Sequence, residues 1–159
     1  MYLWKVDSLV KDFKSGKVSQ KEEFKYMLMF TILMSVASNQ ALYIESIYNY
    51  YDALSSALVF GISIFGVYYC YKINSCGDDR DFLVRVFCIG LPVLIRVSAV
   101  MIPLLIGSKS LETLLLNPEF LNEVTVETTV VDVVVISTSI AAYYWYLATK
   151  IRAVSSKNA

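Results

Sequence analysis

Four long apolar stretches restrict what this 159-residue chain can fold into. A helix crosses the ~30 Å hydrocarbon core of a bilayer with about 20 mostly apolar residues, each rising ~1.5 Å. Stretches of that length lie at 26–44, 53–73, 82–107 and 128–149. The first is the most polar, with Ser35, Ser38, Asn39 and Gln40 inside it, and the third is the longest. The fourth contains Val130-Val131-Asp132-Val133-Val134-Val135-Ile136, a β-branched run that would suit a buried strand in water. Its length decides against a strand, and in lipid the backbone must satisfy its own hydrogen bonds. With 57% apolar residues and a mean hydropathy of +0.55, the composition agrees. The expected fold is an all-α membrane protein, a bundle of four transmembrane helices.

Lys and Arg set the orientation. Lys5, Lys11, Lys14, Lys17, Lys21 and Lys25 precede the first span. Lys72, Arg80 and Arg85 flank the link between the second and third, and Lys150, Arg152 and Lys157 follow the fourth. The other two links hold only Lys109, and Arg96 lies within a span. Basic residues that alternate with each crossing predict both termini in the cytoplasm. Tyr68, Tyr69 and Tyr71, and then Tyr143, Tyr144, Trp145 and Tyr146, fall where interfacial aromatic belts belong. The N-terminus lacks the short basic region and immediate apolar run of a cleaved signal peptide, so residues 1–25 are expected to be retained as a cytoplasmic segment, with 150–159 as a cytoplasmic tail.

Within 1–25, Tyr2, Leu3, Val6, Leu9, Val10 and Phe13 recur at helical spacing, opposite Lys5, Asp7, Lys11, Asp12 and Lys14. This predicts an amphipathic helix ending near Gly16, lying on the inner leaflet or against the protein's own cytoplasmic surface or a partner. Ser19-Gln20-Lys21-Glu22 fits a capping box, so the next helix is expected to start at Gln20. The inner link carries Asp78, Asp79, Arg80 and Asp81 without calcium-loop spacing and reads as a solvated turn and helix cap. Lys11, Lys14, Asp78, Asp79 and Arg80 are candidate docking residues for a cytoplasmic protein. In the outer link, Leu111, Leu114 and Leu115 mark a short turn, Asn117-Pro118 restarts a helix, and Glu112, Glu119, Glu123 and Glu127 make the face acidic.

Ionisable residues within a span are costly and point to functional or packed positions. Arg96 lies ~16 Å beyond Arg85 along a helix. Arg85, Ile89, Pro92, Arg96 and Pro103 return to one helical face, expected to be buried in the bundle, with Pro92 and Pro103 bending the span. Asp132 is the first expected partner of Arg96, and Glu45 the second. Ala57, Gly61, Ser63 and Gly66 permit close helix approach in the second span.

The chain has no histidine and no nucleophile elbow, phosphate loop or zinc motif. Cys70, Cys76 and Cys88 form neither a zinc site nor a disulfide framework. No enzyme, cofactor or metal is expected, and a formal net charge of zero without a basic run gives no reason to expect nucleic acid binding. Two main classes are weighed. One is an oligomeric sensor or anchor subunit of a membrane complex; the other is an ion channel or pore-forming effector with Arg96 facing a central axis. In size, span count and topology the chain resembles small four-span bacterial inner-membrane proteins: membrane subunits of anti-phage systems such as Kiwa and, second, colicin immunity proteins. That resemblance implies a bacterial inner-membrane location, a homo-oligomer, and a role in antiviral defence or in immunity to a pore-forming toxin. It rests on architecture, so no functional residue carries over. The charged N-terminal helix and inner link favour the defence-type subunit.

Overall fold

The computed structural model describes residues 2–37, 48–116 and 128–156, and all regular structure among them is helical. Five helices follow in order: α1 Val6–Lys14, α2 Gln20–Ala37, α3 Tyr50–Cys76, α4 Phe82–Leu116 and α5 Val130–Ser155. Local chemistry sets most of their ends. Gly16 adopts φ +65°, open to glycine without a Cβ penalty, and ends α1. There the Gly16 and Lys17 amides donate to the carbonyls of Phe13 and Asp12 at 3.1 and 2.9 Å, the paired bonds of a Schellman motif. Ser19 receives the Glu22 amide on its hydroxyl at 3.4 Å and starts α2 at Gln20. Asn49 caps α3 by accepting from the Tyr51 and Asp52 amides, and the Asp52 carboxylate accepts from the Asn49 amide at 2.8 Å.

Among the described residues, three helices are long and apolar enough to cross a membrane: Tyr50–Cys76, Phe82–Ser108 within α4, and Val130–Ser155. These are features of a multi-pass membrane protein. The expected first span begins within α2, whose first turn is charged; residues 38–44 of that span lie outside the described residues, as do Glu45, Asn117-Pro118, Glu119, Glu123, Glu127 and Lys157. α4 extends further than the sequence predicts. It runs unbroken through Pro92 and Pro103 to Leu116, taking in Leu111, Leu114 and Leu115. Its 35 residues correspond to ~52 Å, well beyond the hydrocarbon thickness.

Burial is lopsided. The fully buried side chains gather where α3 ends, α4 begins and α5 ends, an end also occupied by α1. They include Leu9, Tyr26, Cys70, Ile89, Leu91, Val93, Leu147 and Ile151. Towards the opposite end, α4 exposes Val100, Ile102, Leu104 and Ile106, and α5 exposes Val130, Val131 and Val134. α2 exposes Phe24, Met27, Leu28, Ile32 and Val36. Water would penalise this surface at ~25 cal/mol per Å², whereas lipid does not.

α3 and α5 make the closest helix pair. A methyl group at Gly66 would overlap the ring of Tyr144, and one at Gly77 would strike the Ser155 carbonyl. At the far ends of these helices the Asn49 side chain donates to the Thr128 carbonyl at 2.9 Å, and the Thr128 hydroxyl donates to Asp52 at 2.5 Å. α2 leans on α4 through Phe30 and Phe87, edge to face at 5.3 Å. Gly66→Ala is expected to cost about 1–3 kcal/mol by overpacking. Gly61→Ala, with nothing within 4 Å of the added carbon, is expected to be neutral. Thermal unfolding in detergent distinguishes the two variants.

Candidate functional site: a buried and a half-buried arginine at one end of the bundle

α1 packs on α4 and α5 rather than lying free on a lipid surface. Val6, Leu9 and Val10, spaced to share one face, are all buried. Lys150 pairs with Asp7 at 2.7 Å, and Lys14 donates to the Ser156 hydroxyl at 3.0 Å. Seven residues of α1 are thus matched to six of α5, so the two helices run alongside each other in the same direction. Of the placements open to this helix, the structure shows packing against the protein's own helices, which cover Val6, Leu9 and Val10 and leave Tyr2 and Leu3 exposed. The Lys150 hydrogen bond holds the Asp7 carboxyl below the usual carboxylate range.

Arg96 joins this segment to the bundle. Its guanidinium donates to the Tyr146 hydroxyl at 2.5 Å and to the Trp4 carbonyl, and its carbon lies 5.7 Å from the Trp4 ring centroid. Lys150 stands 5.1 Å from the ring centroid of the same Tyr146. Trp4, Arg96, Tyr146, Lys150 and Asp7 therefore form one chain of contacts linking the N-terminal segment, α4 and α5. Arg96 Nε is buried with no acceptor.

The expected Arg96–Asp132 pair does not form. Asp132 sits fourteen residues before Tyr146 on α5, ~21 Å away along the axis. Its carboxylate accepts from the Thr129 amide at 2.8 Å and the Thr129 hydroxyl at 3.0 Å, closing the N-terminus of α5. An acid at this third position also meets the positive end of the helix dipole. Asp132 thus lies in the first turn of its helix, not deep within a span.

The second arginine is more completely satisfied. Arg85 is buried and grips Asp78 through two bonds of 2.5 Å, while a third reaches Asn74 Oδ1 at 2.8 Å. Asn74, itself buried, donates to the Arg80 carbonyl at 3.2 Å. Its own carbonyl accepts the Gly77 and Asp79 amides at 3.0 and 3.1 Å. Asp79 and Asp81 adopt φ of +53° and +45°, a region that Asp tolerates better than most residues, and so tighten the link. The link between α3 and α4 is therefore a built turn around a buried cation. Asp79 and Arg80 point to solvent, as does Lys11. On the predicted face of α4, Arg85, Ile89 and Pro92 are buried and Arg96 is half-buried, whereas Pro103 is exposed beside Val134 and Thr138.

Asn74 and Tyr146 carry much of this geometry without having been singled out from sequence as partners. Asn74 offered one cue, a polar residue closing an apolar stretch. Comparison with family models, curated proteins and solved structures found no match for this chain.

The Arg85 ion pair holds the Asp78 carboxyl below its ordinary value. The resulting stabilisation is present above about pH 4, the unfolded value, and is lost as pH falls through the lower folded value. Asp78→Asn is expected to lower stability by about 1–3 kcal/mol at neutral pH, since it leaves a buried cation short of charge. The gap to wild type closes as the solution is acidified below about pH 4. Unfolding temperatures across a pH series measure both effects.

Proposed function

We propose that this chain is a non-enzymatic, four-span protein of a bacterial inner membrane with both termini in the cytoplasm. In this reading it serves as an oligomeric anchor or sensor subunit for a cytoplasmic protein. The observation that carries the proposal is the seating of α1. A freely tethered helix would transmit nothing to or from the spans. Here the N-terminal segment is tied to α4 by Arg96 and to α5 by Lys150 and Ser156. A shift of α4 against α5 must therefore move or release it.

The strength of the tie suits such a role. Exposed ion pairs such as Lys150–Asp7 contribute ~0–1 kcal/mol. Arg96 binds neutral acceptors and keeps one buried N–H unpaired, an arrangement that costs about 1–3 kcal/mol. The latch is thus weaker than the Arg85 turn beside it and can open first. Release would uncover Val6, Leu9 and Val10 beside the already exposed Lys11, a mixed apolar and basic surface for a partner.

The channel reading has less support, because the Arg96 charge is engaged by Tyr146 and Trp4 of the same chain. The likeness to anti-phage and immunity proteins enters only through span count and topology.

Arg96→Gln combined with Lys150→Gln is expected to raise amide hydrogen exchange across residues 6–14 by about tenfold or more, corresponding to a loss of at least ~1.4 kcal/mol. Exchange in the α3–α5 contact should stay unchanged. Unaltered protection of α1 would refute the latch. Single cysteines introduced at Ser15 and Ser156 should be labelled from the cytoplasmic side alone. Labelling on opposite sides would overturn the topology.

A further inference from the structure

A groove of about 590 Å³ lies between α3 and α5 at the α1-bearing end. Phe65, Tyr69, Lys72 and Cys76 line one wall at offsets of four, seven and eleven residues, so they share a face of α3. The rings of Phe65 and Tyr69 are stacked, 6.2 Å apart with 9° between their planes, and present a flat apolar slab. Arg152 and Ser155 of α5 stand opposite, with Arg152 donating to the Tyr69 hydroxyl at 3.4 Å. Gly77 packs against Ser155 and closes the end of the groove.

Charge is what marks this groove. Lys72 and Arg152 are both exposed, and neither has an ion-pair partner among the described residues. Nearby acids are committed elsewhere: Asp7 to Lys150 and Asp78 to Arg85. Two unpaired cations thus stand at the mouth of a mainly apolar slot. The slot continues along the α3 face that exposes Ile64, Phe65 and Tyr68. A soluble anion would use the cations and leave the aromatic wall wet. A lipid with a charged head and an acyl tail uses both.

We propose that this groove binds an anionic phospholipid, its phosphate between Lys72 and Arg152 and its acyl chain along Phe65 and Tyr69. Basic residues at a membrane surface attract anionic lipid, and here they meet a surface already shaped for a chain. Such a lipid would brace the α3–α5 pair at the end where α1 is latched. The inference rests on the membrane placement proposed above. That placement is checked separately, by recovery of the chain in carbonate-washed membranes before solubilisation.

The test uses the full chain, purified in detergent and stripped of lipid, then titrated with phosphatidylglycerol or phosphatidylcholine and read by native mass spectrometry. Wild type should retain phosphatidylglycerol well above phosphatidylcholine. Lys72→Gln with Arg152→Gln should weaken phosphatidylglycerol about thirty-fold. The charge-preserving exchange Lys72→Arg with Arg152→Lys should keep most of the affinity. Lys17→Gln with Lys21→Gln, which removes the same charge elsewhere at this end, should bind as wild type does. Equal retention of both lipids would overturn the proposal. So would an unchanged double-glutamine variant, loss in the charge-preserving exchange, or an equal loss in the Lys17/Lys21 control. Displacement of the lipid by equimolar inorganic phosphate would assign the cations to a soluble anion instead.

Discussion

Everything in this fold depends on which solvent meets the outward faces of α2, α3, α4 and α5. Phe60, Phe65 and Trp145 are each more than two-thirds exposed, with Val100, Ile106 and Leu111 not far behind. In water, helices bearing such faces would collapse onto one another or aggregate. In hydrocarbon they carry no penalty, and the pressure shifts to the backbone, which a helix satisfies internally. Lipid also removes the hydrophobic drive that would press helices together, so packing must come from close fit. The Gly66–Tyr144 contact meets that need, placing a ring against a backbone that has no side chain to hold it off.

Helix ends then become the expensive places, because their unpaired amides cannot be left in hydrocarbon. At the far end of the bundle one arrangement is used twice. Asn49 with Asp52 and Thr129 with Asp132 form the same box, and Thr128 joins the two by bonding to both Asn49 and Asp52. The collar ties the starts of α3 and α5 together where Gly66 ties their middles and Gly77 their ends. The α3–α5 pair is therefore the frame, and α4, α2 and α1 are added to it.

Helical class, the long apolar stretches, the end of α1 and the start of α2 were legible because each depends on a local pattern: periodicity, a glycine, or a serine three residues before an acid. The two capping boxes at the starts of α3 and α5 were equally local, written as Asn49-x-x-Asp52 and Thr129-x-x-Asp132. Asp132 lies where the sequence puts it, about one turn inside its helix, but it was given the wrong partner: counted inside a span, its carboxylate called for a countercharge. Once its carboxylate is seen to close its own helix, Arg96 must find other acceptors. Those are a hydroxyl fifty residues away and a backbone carbonyl of Trp4. A carbonyl has no sequence signature, and a tyrosine in an aromatic belt looks the same whether or not its hydroxyl is used. The extension of α4 past Gly107 was missed for a different reason: Ser108, Lys109 and Ser110 look like a loop, yet the Ser108 and Ser110 hydroxyls bond back to the Leu105 and Ile106 carbonyls and remain helical.

The contrast between the two arginines shows where motion is cheapest. Arg85 is held by a carboxylate on two bonds and an amide on a third, all supplied by residues within eleven positions of it. Opening that cluster would strand a buried cation, so the link between α3 and α4 behaves as a rigid corner. Arg96 has partners on two separate parts of the chain, none of them charged, and lacks an acceptor for Nε. Withdrawing Trp4 costs it one neutral bond and a ring contact while Tyr146 stays in place. The least costly rearrangement at this end is therefore departure of the N-terminal segment from a bundle that otherwise keeps its shape. That asymmetry separates a frame that holds from a strap that can let go.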